Sequence, residues 1–264
     1  MSEQTMTAFE VATPSTAIQP YLRVEDVHMR YPNDNGGVEA LHGVQFDLHP
    51  REFVCLLGPS GCGKSTLLRI IAGLLTPTRG EVIFYAPTAS RISLVFQDAN
   101  LMPWRNVREN IALPLILQGV PRSQALQKAD AWLDIVGLQG FGEALPRELS
   151  GGMAQRVAIA RSLIQEPGLL LLDEPFGALD ALTREKMASE LLRLWQEHRT
   201  TVLMVTHSIS EAILLSDRVL VLSSRPGRVV LDLAIDLPRP RDEDVRYTPE
   251  FGALARELRR AITD

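Results

Sequence analysis

Residues 58–65 read Gly58-Pro59-Ser60-Gly61-Cys62-Gly63-Lys64-Ser65, which fits the pattern G-x-x-x-x-G-K-[ST]. Glycines at these positions let the backbone curl until successive N–H groups point at one anion. A helix that starts just after them adds the partial positive charge of its N-terminus. The chemistry is phosphate binding. Lys64 is expected to reach the β- and γ-phosphates of a nucleotide and the Ser65 hydroxyl to ligate Mg²⁺. Thr66 adds a second hydroxyl and an N–H for the α-phosphate. The alternative is a chance glycine turn, which the flanking strand and helix argue against. Cys62 reads as a small filler with no redox role.

A second set of candidates stands at Leu169-Leu170-Leu171-Leu172-Asp173-Glu174, an apolar run ending in two carboxylates. Alone it could be a buried strand with an acidic end. Behind a phosphate loop, Asp173 is placed to hold a metal-bound water and Glu174 to act on the water attacking the γ-phosphate. Pro175 stops the strand and keeps both at the sheet edge. Ser150-Gly151-Gly152 reads, on its own, as a serine cap with a flexible entry into the helix 153–163.

The elements that must position these groups alternate between strand and helix. LRVEDVHMRY and VEALHGVQFDL alternate apolar and polar residues like strands, with PNDNGG (32–37) as the turn between them. Residues 53–57 form a continuous apolar strand that leads into the phosphate loop and a helix over about 64–72. Strands are expected near 81–84, 92–96, 169–173, 202–206, 218–222 and 228–233, and helices over about 181–197 and 249–262. Alternating strands and helices imply an α/β core with parallel strands. Residues 98–166 look mainly helical, punctuated by Pro103, Pro114, Pro121 and Pro146, and read as an inserted subdomain.

Composition narrows the classes. With 27 basic and 32 acidic residues the net charge is −5, which argues against a general nucleic-acid binder. Two cysteines make no disulfide framework and suit a reducing compartment. The first twenty residues lack the basic start and apolar run of a signal peptide. No apolar stretch is long enough to span a bilayer, so any membrane role is expected to come through a partner. His28, His42, His49 and His198 match no motif.

Leu149-Ser150-Gly151-Gly152-Met153-Ala154-Gln155-Arg156 closely resembles the LSGGQ-x-QR signature of ABC-transporter ATPases. With the two phosphate-site motifs, the resemblance runs from Tyr21 to about Pro240. It implies an α/β fold, the ABC ATPase domain of the P-loop NTPases. Such a domain has a mainly parallel core sheet, an antiparallel β subdomain and an inserted α-helical subdomain. The divisions expected are a disordered lead-in (1–20), the ATPase domain (21–242, with the helical block at about 98–166) and a C-terminal helical extension (243–264). The resemblance makes Gln97, in LVFQD, a ligand of Mg²⁺ that couples to the membrane subunits. It makes Ala178-Leu179-Asp180 the D-loop, His207 the switch histidine beside the γ-phosphate, and Tyr31 the ring that stacks on adenine.

The implied cofactors are ATP and Mg²⁺. The nucleotide contacts are Tyr31, Gly58, Pro59, Ser60, Gly61, Cys62, Gly63, Lys64, Ser65, Thr66, Gln97, Ser150, Gly151, Gly152 and Asp180. Ser65, Gln97 and Asp173 are the metal ligands, and Glu174 and His207 the catalytic pair. The sequence departs from the family pattern twice, with Met153 for the usual glutamine and Ser208 where aspartate is common.

Such ATPases work as head-to-tail pairs, so the resemblance implies a second copy whose Ser150, Gly151 and Gly152 close over the ATP at Lys64. It further implies integral membrane permease subunits, indirectly a solute-binding protein, and a peripheral place on the cytoplasmic face of the inner membrane. FQDANLMPWRNVREN, ALDALTREKM, LWQEH and VLSSRPGRV resemble the nitrate/sulfonate/taurine branch of importers. An aliphatic sulfonate is the first expectation for the solute, with nitrate, taurine and bicarbonate as related anions and a pyrimidine or vitamin precursor as the alternative. Leu101 to Trp104 is expected to receive the permease, against the alternative that Trp104 packs in the core. A P-loop kinase would have no use for LSGG, and a repair or translation ATPase of this class would carry a coiled coil or a second cassette.

Overall fold

The computed structural model describes residues 19–32, 37–85, 92–177, 179–198 and 200–263. Residues 1–18 of the expected lead-in, 33–36 of the expected turn, and Ala178 lie outside the described residues. Two long strands come first, β1 (Leu22–Tyr31) and β2 (Val38–Leu48), followed by β3 (Phe53–Leu57) and helix α1 (Lys64–Ile71). Strands β4 (Arg79–Phe84) and β5 (Ile92–Val95) precede the helices α2 (Val107–Leu117), α3 (Arg122–Ile135) and α4 (Gly151–Leu163). Then β6 (Leu169–Asp173), α5 (Ala181–His198), β7 (Thr201–Val205) and α6 (Ile209–Leu215) alternate. The described chain ends with β8 (Arg218–Leu222), β9 (Val229–Ala234) and α7 (Pro249–Thr263).

Two sheets result. One is antiparallel, in the order β2-β1-β4; the other has six strands in the order β5-β6-β7-β3-β8-β9, parallel except for β9. Apart from Asp173, Thr201 and Arg218 at their ends, the central strands are apolar throughout, because both of their faces are covered. Phe53, Cys55 and Leu57 face one core with Leu170, Leu172, Val202, Met204, Val219 and Val221, against α2 to α7. Val54 and Leu56 face the other core with Leu169, Leu171, Leu203, Val205, Leu220 and Leu222, against α1 and the antiparallel sheet. A side-chain period of two thus divides each strand between two cores. This is the α/β architecture expected from the alternation of elements.

One expectation is corrected and one element is added. Pro114 does not interrupt the helical block; it lies inside α2. It leaves the Asn110 carbonyl without its usual helical donor, and the Asn106 capping box secures the start of the same helix. The short helix α6, unread in the sequence, is capped by Ser208, whose Oγ accepts from the Glu211 N–H. Among the described residues no helix is long and apolar enough to cross a membrane.

Arg241 fastens the C-terminal segment to the end of α6 and to the chain just after β9. Its buried guanidinium donates to the carbonyls of Ile213, Ser216, Ile235 and Leu237. Burial lowers its pKa to about 10, so it stays cationic at neutral pH. Arg241→Met should lower the unfolding free energy by roughly 2–4 kcal/mol, because it strips donors from several buried carbonyls at once. The midpoint of a urea transition checks this.

Candidate functional site

The phosphate loop leaves the fully buried β3 and enters α1 through glycines whose neighbours admit no side chain. At Gly63 (φ 106) a Cβ would lie 2.7 Å from Leu41 Cδ2 and 2.8 Å from the Ala40 carbonyl. At Gly58 (φ 156) it would meet the Leu222 carbonyl at 2.8 Å and Cys62 Sγ at 2.9 Å. Lys64 is buried, and its ammonium donates to the carbonyls of Gly58 (2.8 Å) and Pro59 (2.9 Å). Among the described residues it has no carboxylate ion pair. The loop therefore presents a cation and a helix N-terminus without a protein anion, a donor set that fits phosphate.

Parallel pairing brings the other groups to the same edge. β7 lies between β3 and β6, so the carboxyl ends of all three strands are adjacent. Ser65 Oγ donates to Asp173 Oδ1 at 2.8 Å. Burial raises the Asp173 carboxyl above its ordinary range, while the Ser65 hydroxyl opposes the shift. This hydroxyl–carboxylate pair is an all-oxygen donor set of the kind Mg²⁺ takes.

Glu174 adopts a left-handed backbone (φ 46), held by its N–H to the Val205 carbonyl, 3.0 Å. Its Oε2 accepts from His207 Nδ1 at 3.0 Å, which leaves Nε2 of this half-exposed ring facing outward. His207 is steadied through its neighbours. Thr206 Oγ1 donates to the buried Glu211 at 2.5 Å and accepts from the Ser208 N–H at 3.0 Å. Ser208, where aspartate is common in the family pattern, thus serves as a helix cap.

A cavity of about 290 Å³ opens here, lined by Tyr31, Val38, Ala40, Ser60, Gly61, Gly63, Lys64, Ser65, Thr66, Glu174 and Arg225. Tyr31 Oη is 3.2 Å from Thr66 Oγ1, which sets its ring over the pocket. Gln97 is exposed after β5, its Nε2 3.1 Å from where a Gly177 Cβ would stand, next to the Glu174 turn.

A different group of expected residues gathers away from the cavity. Ser150 caps α4, accepting from the Met153 N–H, and Gly152 packs against Thr183 so closely that a Cβ would be 2.8 Å from its Cγ2. Asp180 caps α5 by accepting from the Thr183 N–H, and hydrogen bonding to the Thr183 side chain, with that N–H second, holds its carboxyl below the usual range. Met153 packs against the core on its partly buried side. Within one chain, Ser150, Gly151, Gly152 and Asp180 do not line the pocket that holds Lys64.

Sequence reading missed Arg225 as a site residue. Its guanidinium donates twice to the Gly61 carbonyl, at 3.1 and 3.0 Å, across 164 positions of chain. The Arg-Pro-Gly turn was the available signal, but only the fold reveals what it touches.

The ABC transporter family model matches residues 41–177. An uncharacterized ABC transporter ATP-binding protein of Methanocaldococcus jannaschii is 48% identical over 248 residues, covering 92% of this chain and 91% of that one. The taurine import ATP-binding protein of Roseobacter denitrificans is 45% identical over 256 residues, covering 92% and 94%. Among solved structures, a dimeric ATP-binding cassette in a post-hydrolysis state with ADP and Pi superposes with a TM-score of 0.71 at 33% identity, covering 82% of this chain and all of that one.

Gly63→Ala should destabilise the fold by roughly 1–3 kcal/mol and distort the loop, since the new methyl meets a backbone carbonyl at a strained φ. Thermal denaturation beside a conservative surface control measures the loss.

Proposed function

This chain belongs to the ABC transporter family of ATP-binding proteins, and on that footing we propose that it is the ATP-hydrolysing subunit of an importer for a sulfonate anion. The observation that carries the hydrolytic reading is the meeting of Lys64, Ser65, Asp173, Glu174 and His207 at the carboxyl ends of three adjacent strands. Lys64 and the loop N–H groups offset charge on the β- and γ-phosphates, and Tyr31 stacks on the adenine. Ser65 and Asp173, with Gln97, hold Mg²⁺, which when bound neutralises charge developing on the phosphates. Glu174 polarises the attacking water, and His207, bonded to its Oε2, keeps that carboxylate and the γ-phosphate in register. Asp173 is engaged with Ser65, so Glu174 is the carboxylate left for the water.

The second half of the site comes from a second copy. Ser150 and the two glycines present a capped helix N-terminus outside their own chain's pocket, suited to closing over the γ-phosphate of a partner's ATP. The dimeric cassette with ADP and Pi supports this assembly. The sulfonate reading rests on the Roseobacter denitrificans relative, named for import of taurine, itself an aminoalkanesulfonate. Solute choice lies with the permease and a solute-binding protein, with this chain on the cytoplasmic face beneath them.

Trp104, 73% exposed, is not a core residue. With Leu101 partly buried against the core, the segment after Gln97 offers an aromatic knob to the permease's cytoplasmic helix.

Glu174→Gln should leave ATP affinity near the parent value and slow single-turnover hydrolysis by on the order of a hundredfold or more. The same variant should sediment as a monomer alone and as a dimer with ATP. Hydrolysis at the parent rate, or a monomer at saturating ATP, would overturn the assignment. In the assembled transporter, a cysteine at Trp104 should crosslink to the permease in high yield, whereas one at exposed Tyr247 should not.

A further inference from the structure

Behind the phosphate pocket a second group of polar side chains converges on β1 and β2. Val38 and Ala40 line the pocket, while Glu39 between them meets two histidines. Glu39 Oε1 lies 2.6 Å from His42 Nδ1 and 3.8 Å from His28 Nδ1. One ligating atom from each of the three residues falls within 4.8 Å of the others. The two imidazoles stand edge to face, with centroids 4.6 Å apart.

His28 is oriented from behind. Its Nε2–H donates to Asp26 Oδ1 at 2.9 Å, and Asp26 Oδ2 is held by Arg79 at 2.9 Å. Asp26 has a left-handed φ of 46° where the β1–β2 register breaks, a bulge that turns its carboxylate toward the histidine. With Nε2 turned to Asp26, His28 directs its Nδ1 toward the Glu39 carboxylate, so a cation between them would draw on both.

The donor types narrow which cation. Two imidazole nitrogens and one carboxylate oxygen, with a carboxylate behind one ring, suit zinc and its neighbours; calcium and magnesium take oxygen. Tetrahedral bonds of about 2.0–2.1 Å set ligand atoms about 3.3 Å apart. The two Glu39–histidine separations, 2.6 and 3.8 Å, straddle that figure, and with all three ligand atoms within 4.8 Å the set closes by side-chain rotation. All three residues are partly exposed, which leaves a fourth position to water. Cys55 and Cys62 do not compete, since both are buried and burial raises each thiol.

We propose that His28, Glu39 and His42 form a binding site for a divalent transition-metal ion of zinc's class, with Asp26 as a positioning carboxylate. An ion there ties β1 to β2 on the back of the pocket wall.

Equilibrium dialysis of the full chain against Zn²⁺, free of nucleotide and chelator, should find one ion per chain at micromolar concentration. His28→Gln and His42→Gln should each weaken uptake at least tenfold and the double variant abolish it. Asp26→Asn should weaken uptake tenfold to a hundredfold. Co²⁺ in place of Zn²⁺ should give the intense visible absorption of a tetrahedral site, lost in the double variant. Circular dichroism confirms that each variant is folded, and the two single variants keep the test open if the double variant is not. No stoichiometric Zn²⁺ uptake by the parent overturns the proposal. So does undiminished uptake by the folded histidine variants, or uptake abolished by Ser65→Ala instead.

Discussion

The parallel ladder of β6, β7 and β3 is the constraint on which the site depends. Asp173 pairs with Val205, and Val205 with Leu56, so the three strands end level with one another. The ladder then runs past the strand ends. Glu174 donates to the Val205 carbonyl and Thr206 to that of Leu56. Backbone hydrogen bonds of the sheet, more than loop contacts, therefore fix where the carboxylates and His207 stand relative to the phosphate loop. A slip of one residue in β7 would exchange its two core faces and carry His207 away from Glu174. The apolar side chains that fill both cores oppose that slip, which is how packing far from the pocket maintains its chemistry.

The groups proposed to meet nucleotide stand in two places on the same chain. One group surrounds Lys64; the other caps α4 and α5 with Ser150 and Asp180. Each is locally satisfied, with the serine and aspartate side chains occupied by backbone N–H groups. The second group is thus held in place before any partner arrives, which would lower the entropic cost of closing the proposed shared site.

Much of this was legible in the sequence because it is local. Glycine spacing before Lys64, the leucine run into Asp173 and the alternation of elements are all short-range signals, and the α/β fold followed from them. The left-handed turn at Glu174 was not legible, since no propensity places a glutamate there; Val205 holds it. Arg225 and the Thr206–Glu211 pair were missed for a related reason: their importance lies in what they touch. Pro114 misled, because a proline reads as a breaker, although a capped and buried helix accommodates it. The histidines of β1 and β2 matched no motif, as cross-strand neighbours leave no fixed spacing in one dimension.

The placement of β3 bears on how the protein is made. This strand carries the phosphate loop and is synthesised early, yet its sheet neighbours are residues 201–205 and 218–222. The loop itself is clasped by Gly227, which packs against the Cys62 carbonyl, and by Arg225. Residues 31–66 supply most of the pocket wall, but Glu174 and Arg225 complete it only from far along the chain. Contacts of such long sequence separation form slowly. The apolar strand 53–57 thus waits unpaired through most of translation, a natural client for a chaperone.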